Sequence, residues 1–311
     1  MTTEIPAEPK SILFIGLGAM GEPMAANLSK GGAQLSVYDL SEDRRAEVAE
    51  NLGAVAVPDP VVAAAEQDAV VLMLPSSAVV ESLLLEQGLL ESLKPGSLVI
   101  DMSSSHPDST RKLAEIAAAQ GIRFIDAPVS GGRAKAITGE LAIMAGGQDN
   151  DFAAALPVLK LLGSKIFHAG GHGAGHAMKA LNNLLSATGL AAAAEVMAAG
   201  AKYGLRPETM LDILNNSTGS NQATQVKFAK FILSRAFNSG FAMDLMVKDL
   251  GIAAEILPEN HGEPSIVRST VQLWQEARRE LDDRMLDHTA VTKWIEHNAG
   301  VVLSDESTTE P

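Results

Sequence analysis

"ILFIGLGAMGEPMAANL", residues 12–28, decides the fold. An apolar run reads as a buried strand, and Gly16, Gly18 and Gly21 follow it at GxGxxG spacing, directly before a helical pattern. In such a loop the first glycine turns tightly, the second lets a pyrophosphate approach the backbone, and the third lets helix and strand pack closely. The helix N-terminus then offers unpaired N–H groups to the phosphates. Leu17, Ala19 and Met20 complete the candidate cofactor loop. Asp39 ends the next strand, 18 residues after Gly21. A carboxylate there accepts hydrogen bonds from ribose hydroxyls and repels a 2′-phosphate, which predicts NAD over NADP. Arg44 and Arg45 lie nearby and weigh toward NADP, and Asp39 could instead cap the following helix.

Working outward, "QLSVYD" (34–39), "AVVLML" (69–74), "SLVIDM" (97–102), "IRFIDA" (122–127) and "LAIMAG" (141–146) alternate with helical patterns. Continuous apolar strands separated by helices predict an α/β fold, a Rossmann-type doubly wound, mostly parallel sheet. Strand runs stop near residue 170. Beyond "HAGGHGAGH" (168–176), successive helical patterns are punctuated by "GLRP" (204–207), "NNSTGSN" (215–221), "LPENHG" (257–262) and "LDDR" (281–284). The expected organisation is a dinucleotide-binding domain over 10–173, an all-helical domain over 174–303, and disordered polar tails at 1–9 and 304–311. No internal repeat is visible.

The whole chain bounds what this fold can serve. With 311 residues it can bury a large core, and a formal net charge of −14 argues against a phosphate-backbone partner, which clustered Lys and Arg would have to hold. No cysteine is present, so disulfide and thiolate chemistry are excluded. "MTTEIPAEPK" has no apolar core of a secretory signal, which makes the cytoplasm the expected compartment. The least polar stretch, 184–201, is interrupted by Glu195 and reads as a buried helix rather than a membrane span.

A second constellation lies in "HAMKALNN" (176–183). Lys179, Asn182, Asn183 and Ser186 fall at i, i+3, i+4 and i+7, one polar stripe on an otherwise apolar helix. That is the pattern of a solvated face or of a catalytic one. His168, His172 and His176 suggest a metal, but no carboxylate or thiol is interleaved and the surrounding glycines make a rigid ligand helix unexpected, so no metal site is predicted.

Four separated motifs resemble the β-hydroxyacid dehydrogenase family: the glycine loop, "DAPVSGG" (126–132), "GHGAGHAMKALNN" (171–183) and "KDL" (248–250). They stand in the family's order over nearly the whole chain and favour the catalytic face. The resemblance implies that Ser130, Gly131 and Gly132 hold the substrate carboxylate. It further implies Lys179 as acid/base, Asn183 as a substrate-positioning group, and Lys248 bordering the nicotinamide. Ser104 stands where the family has Thr or Ser near the cofactor, and Leu74 and Pro75 correspond to the backbone on its other side. The chemistry agrees: a hydroxyl beside two unshielded glycine N–H groups can cradle an anion. A lysine on a mostly apolar helix exchanges its proton more readily. Each has a plainer reading too, as a flexible turn for "SGG", an interface ion pair for Lys179 and a solvated residue for Lys248.

The implied activity is reversible hydride transfer between NAD and a small 3-hydroxy acid such as 3-hydroxyisobutyrate or L-threonate. The site is expected in a cleft between the sheet's carboxyl edge and the helical domain, with closure excluding water. Rival readings are a tartronate semialdehyde, glyoxylate or succinic semialdehyde reductase, and a non-catalytic dinucleotide-binding module. Imine reductases share the architecture, but typically lack a lysine at the catalytic position. A homodimer or homotetramer is expected from the resemblance, and side chains selecting the substrate are expected from 215–245.

Overall fold

The computed structural model describes residues 9–259, 263–283 and 285–304. The two expected tails therefore lie, apart from Pro9 and Ser304, outside the described residues, as do 260–262 and 284 within the expected turns. The chain divides between Lys179 and Ala180 into two compact units.

Among the described residues the first unit is built on nine strands: β1 (Ser11–Ile15), β2 (Gln34–Tyr38), β3 (Val55–Ala56), β4 (Ala69–Leu72), β5 (Leu98–Asp101), β6 (Arg123–Asp126), β7 (Val129–Ser130), β8 (Leu141–Gly146) and β9 (Gly163–Gly170). Between them run α1 (Gly21–Lys30), α2 (Glu42–Leu52), α3 (Pro60–Ala64), α4 (Ser77–Glu81), α5 (Leu89–Ser92), α6 (Pro107–Ala119), α7 (Gly132–Thr138) and α8 (Asp149–Leu162). The strand order is β3-β2-β1-β4-β5-β6-β8-β7, and β9 pairs with β8. From β3 to β6 every pairing is parallel. β8 then runs antiparallel to β6 and β7, while β9 is parallel to β8. The sheet is thus the doubly wound one expected, extended by an antiparallel edge.

Alternation along β1 shows why both faces are covered. Ile12 and Phe14 join Met24, Ala25 and Leu28 of α1 in one core, whereas Leu13 and Ile15 join Leu113, Ala114 and Ala117 of α6 in the other. Each such large apolar side chain contributes roughly 1.5–3 kcal/mol by leaving water. The order reverses between β1 and β4, so the crevice at their carboxyl ends is where an open α/β sheet binds ligands.

The second unit is helical. It comprises most of α9 (Ala174–Lys202), then α10 (Pro207–Asn215), α11 (Met243–Ile256), α12 (Ile266–Glu280) and α13 (Val291–Ala299). A π-helical segment over Ala223–Leu233 and a 3₁₀ turn over His288–Ala290 interrupt the series. α9 is long and apolar enough, by length and composition, to cross a membrane. Its Leu184, Ala187, Leu190, Ala194 and Met197 nevertheless form the unit's core with Phe228, Leu250 and Trp274.

Candidate active site

The glycine loop sits at the reversal of strand order. A Cβ on Gly16 would come within 2.3 Å of the Met73 carbonyl oxygen, and one on Gly21 within 1.8 Å of the Gly16 carbonyl oxygen. Only glycine lets β1, the chain after β4 and the start of α1 approach so closely. Around Gly18 nothing lies within 4 Å of the equivalent position, and Gly18 and Ala19 are exposed while Met20 is half-buried. In the first turn of α1 the Glu22 N–H donates to the Gly18 carbonyl at 3.2 Å, outside the helix. An exposed, unobstructed helix N-terminus of this kind fits a pyrophosphate.

Asp39 does not cap α2; Ser41 does, accepting from the Arg44 N–H. The Asp39 carboxylate instead accepts from the Leu17 N–H at 2.8 Å and from the Ser41 N–H at 3.0 Å, tying the end of β2 to the glycine loop. The two arginines beside it are engaged. Arg44 reaches Glu22 at 2.5 Å, Glu47 at 3.1 Å and the Leu17 carbonyl at 3.1 Å. Arg45 donates to the Asp39 carbonyl and lies over the Tyr38 ring.

Three buried groups organise the carboxyl edge further along the sheet. Asp101, at the end of β5, accepts from the Ser103 N–H and the Ser105 hydroxyl, and the Ser103 hydroxyl in turn accepts from the Leu74 N–H at 2.9 Å. Leu74, Pro75 and Ser104 are thereby carried on two cross-linked loops. Asp126, fully buried at the end of β6, accepts from the N–H groups of Gly173 (2.8 Å) and His176 (2.9 Å). A carboxylate there caps α9 and complements its dipole. His176 Nε2 lies 3.1 Å from the Ser103 carbonyl oxygen and its Nδ1 2.7 Å from the Thr110 hydroxyl, so the ring bridges the loop after β5 and the start of α6. Lys179, one turn beyond, is therefore fixed in register with the β5 and β6 ends.

Lys179 is 8 % and Asn183 6 % exposed, which removes the solvated-face reading of the stripe. Within the helical unit Asn183 Nδ2 donates to Asp249 Oδ2 at 2.6 Å. The other oxygen of that buried carboxylate lies 3.5 Å from the Lys248 ammonium, so "KDL" and the stripe meet through Asp249. Asn182 points its amide at Asn183, and Ser186 accepts from the Lys227 ammonium at 3.1 Å. Ser130 ends β7, Gly131 precedes α7 with φ +132°, and Gly132 opens it with φ +67°. The hydroxyl and both glycines thus lie at the N-terminus of a short helix, and the glycines are exposed.

Among the described residues no cluster could hold a metal. The three histidines go separate ways: His168 stacks on Phe152 and meets the Gly147 carbonyl, His172 meets the Phe124 carbonyl, and His176 lies in the network above. Of the glycines among them, Gly175 has a packing role. A Cβ on Gly175 would strike the Met144 carbonyl at 2.2 Å, so that glycine lets α9 pack on the sheet.

Sequence reasoning quoted Asp126 and Asp249 inside motifs without giving either a task, and passed over Asp101, Ser103 and Lys227. Lys227 shows no signal, being one of two lysines in a segment with no readable pattern. In the structure burial lowers its pKa to about 8, offset in part by Asp287. Burial, then the Lys227 charge, hold His288 below the usual imidazole range.

Comparison with known proteins bears on both units. Residues 11–171 match the family model described as the NAD binding domain of 6-phosphogluconate dehydrogenase, and 173–295 match that described as NAD-binding of NADP-dependent 3-hydroxyisobutyrate dehydrogenase. The chain is 42% identical over 292 residues to 2-(hydroxymethyl)glutarate dehydrogenase of Eubacterium barkeri, spanning 94% of this chain and 96% of that one. It is 41% identical over 253 residues to NAD-dependent L-serine dehydrogenase of Pseudomonas aeruginosa, spanning 79% and 85%. Mycobacterium tuberculosis 3-hydroxyisobutyrate dehydrogenase, solved with L-serine, superposes with a TM-score of 0.82 at 31% identity over 92% of this chain and 99% of that one.

Proposed function

The chain belongs to the β-hydroxyacid dehydrogenase family, and from that premise we propose that Lys179 is the acid/base in NAD-dependent oxidation of a 2-substituted 3-hydroxypropionate. The relatives' named compounds, 2-(hydroxymethyl)glutarate, 3-hydroxyisobutyrate and L-serine, share a primary alcohol one carbon beyond a carboxylate-bearing carbon. That shared half defines the proposed substrate class. L-threonate, with its secondary carbinol, fits it less well.

NAD, when bound, supplies the hydride acceptor for the carbinol carbon. Gly16–Gly21 hold its pyrophosphate, Asp39 its ribose, and Leu74, Pro75, Ser104 and Lys248 border the remainder. Neutral Lys179 removes the hydroxyl proton during oxidation, and its ammonium returns one to the carbonyl oxygen during reduction. Ser130–Gly132 receive the carboxylate, while Asn183 donates to a substrate oxygen without adding charge. The observation that carries the assignment is a buried lysine on a helix whose N-terminus is locked to the sheet's carboxyl edge by Asp126 and His176.

The same reading takes the chain as a cytoplasmic homodimer or homotetramer that binds neither nucleic acid nor membrane. An exposed apolar stripe on α9, formed by Met178, Leu181, Leu185 and Val196, supports self-association. The test is an oxidation screen against 3-hydroxyisobutyrate, L-serine, 2-(hydroxymethyl)glutarate, L-threonate and D-glycerate, with NAD and NADP separately. NADH formation with a hydroxymethyl acid is expected, and no turnover with any member would refute the reading.

A further inference from the structure

Lys227 is a buried cation near the stripe that the proposed chemistry leaves without a task. It is 6 % exposed, and among the described residues the one acceptor within hydrogen-bond distance of its ammonium is Ser186 Oγ, at 3.1 Å. An ammonium carries three N–H donors. The carboxylate that acts on it electrostatically, Asp287, is already saturated. It accepts from the Ser239 hydroxyl, the N–H groups of Gly240, Phe241 and Thr289, and the Thr289 hydroxyl. No carboxylate of the described residues pairs with Lys227 within 4.0 Å. His288 brings an imidazole kept neutral by the same burial and adds no negative charge.

A cation so placed is costly to the fold, since one neutral hydroxyl does not replace the water it has lost. Its setting is unusual as well. Lys227 lies on the π-helical segment, a conformation that is rare over this length and frequent where a side chain is re-aimed for function. Ser186 is on the same face of α9 as Asn183, three residues on, about 4.5 Å along the helix axis. Asn183 and the Lys227–Ser186 pair therefore lie along one face of α9, a short spacer apart.

We propose that Lys227, oriented by Ser186, receives a second carboxylate of the substrate, so that the hydroxy acid this chain prefers is a dicarboxylate. The inference rests on the hydroxymethyl-acid reading and sharpens it: Lys227 takes the carboxylate distal to the carbinol. In a chain of net charge −14, a dianion needs such a local cation to be held at all.

Two probes share the reacting half. 3-Hydroxyisobutyrate carries a methyl group where 2-(hydroxymethyl)glutarate carries a propionate arm. With the full-length enzyme and NAD, kcat/KM is expected to be at least about tenfold higher for the dicarboxylate. In Lys227→Met that ratio is expected to fall about thirtyfold or more, the scale of losing one buried charge pair, with the change in KM rather than kcat. Lys227→Arg should restore part of the ratio. Binding is read independently of turnover by thermal shift: glutarate should raise the Tm of the NAD-bound wild type more than butyrate does, and Lys227→Met should abolish that difference. A ratio unchanged by Lys227→Met, or a wild type with no preference for the dicarboxylate, overturns the inference while leaving the dehydrogenase reading intact. A wild type that oxidises no hydroxymethyl acid overturns the reading and the inference with it.

Discussion

Two sets of buried polar groups, one in each unit, differ in how the chain satisfies them. In the sheet unit Asp101, Asp126 and His176 are buried and each is matched by donors or acceptors of the chain itself. In the helical unit, among the described residues, Lys227 has one acceptor for its three N–H donors, and Asp249 Oδ1 is met by the Lys248 ammonium at 3.5 Å without a closer hydrogen bond. Saturated groups hold loops and a helix end in place, and have nothing left to offer a ligand. Undersatisfied groups weaken the fold and keep their bonding capacity for something that arrives later.

The strongest challenge to that contrast is Lys179→Ala. It should lower kcat/KM for the preferred hydroxy acid about a thousandfold, in the range of general acid/base catalysis, while NAD affinity measured by calorimetry stays within about twofold. Near-normal turnover would leave the stripe without its chemical role.

Next in size is the pH dependence of stability at Lys227. Its folded pKa, about 8, lies below the ordinary lysine value of 10.5. The penalty of burying the charge is therefore fully present below pH 8 and is relieved as pH rises toward 10.5. Lys227→Met should be more stable than wild type near pH 7 by about 3 kcal/mol, with the gap closing across that window in denaturant titrations. A pH-independent gap would mean that the amine is already well solvated.

Asp126→Ala should act the other way and cost about 2–3 kcal/mol, because it strips the cap from α9 and leaves two N–H groups buried without an acceptor. Chemical denaturation reads the loss, and kcat should fall alongside it as Lys179 loses its register. The smallest effect is expected from Asp39→Ala, at roughly 1.4 kcal/mol or tenfold in the KM for NAD. Discrimination against NADP should relax with it, and unchanged preference would assign Asp39 a purely structural bond to the Leu17 N–H.

Much of this was legible in the chain because the relevant signals are local. A strand, three glycines at fixed spacing and a helix start identify the cofactor loop, and β-branched runs separated by helical periods identify the sheet. The short strands at 55–56 and 129–130 were missed because two residues make no period. The stripe on α9 was visible at i, i+3, i+4 and i+7, yet nothing in its periodicity distinguishes solvent from a buried site. Burial of Lys179 and Asn183 makes that distinction.

By itself, then, the sequence determined the class of fold, the dinucleotide loop and the helix that carries the candidate acid/base, since each depends on residues close together in the chain. Tertiary structure alone decided that Asp126 caps α9 from 47 residues away, that Asp249 joins "KDL" to Asn183 across 66, and that Lys227 meets Ser186 across 41. Such pairs come together only when the chain packs, and packing also sets how much water each charge keeps, hence whether it is spent on the fold or held for a substrate.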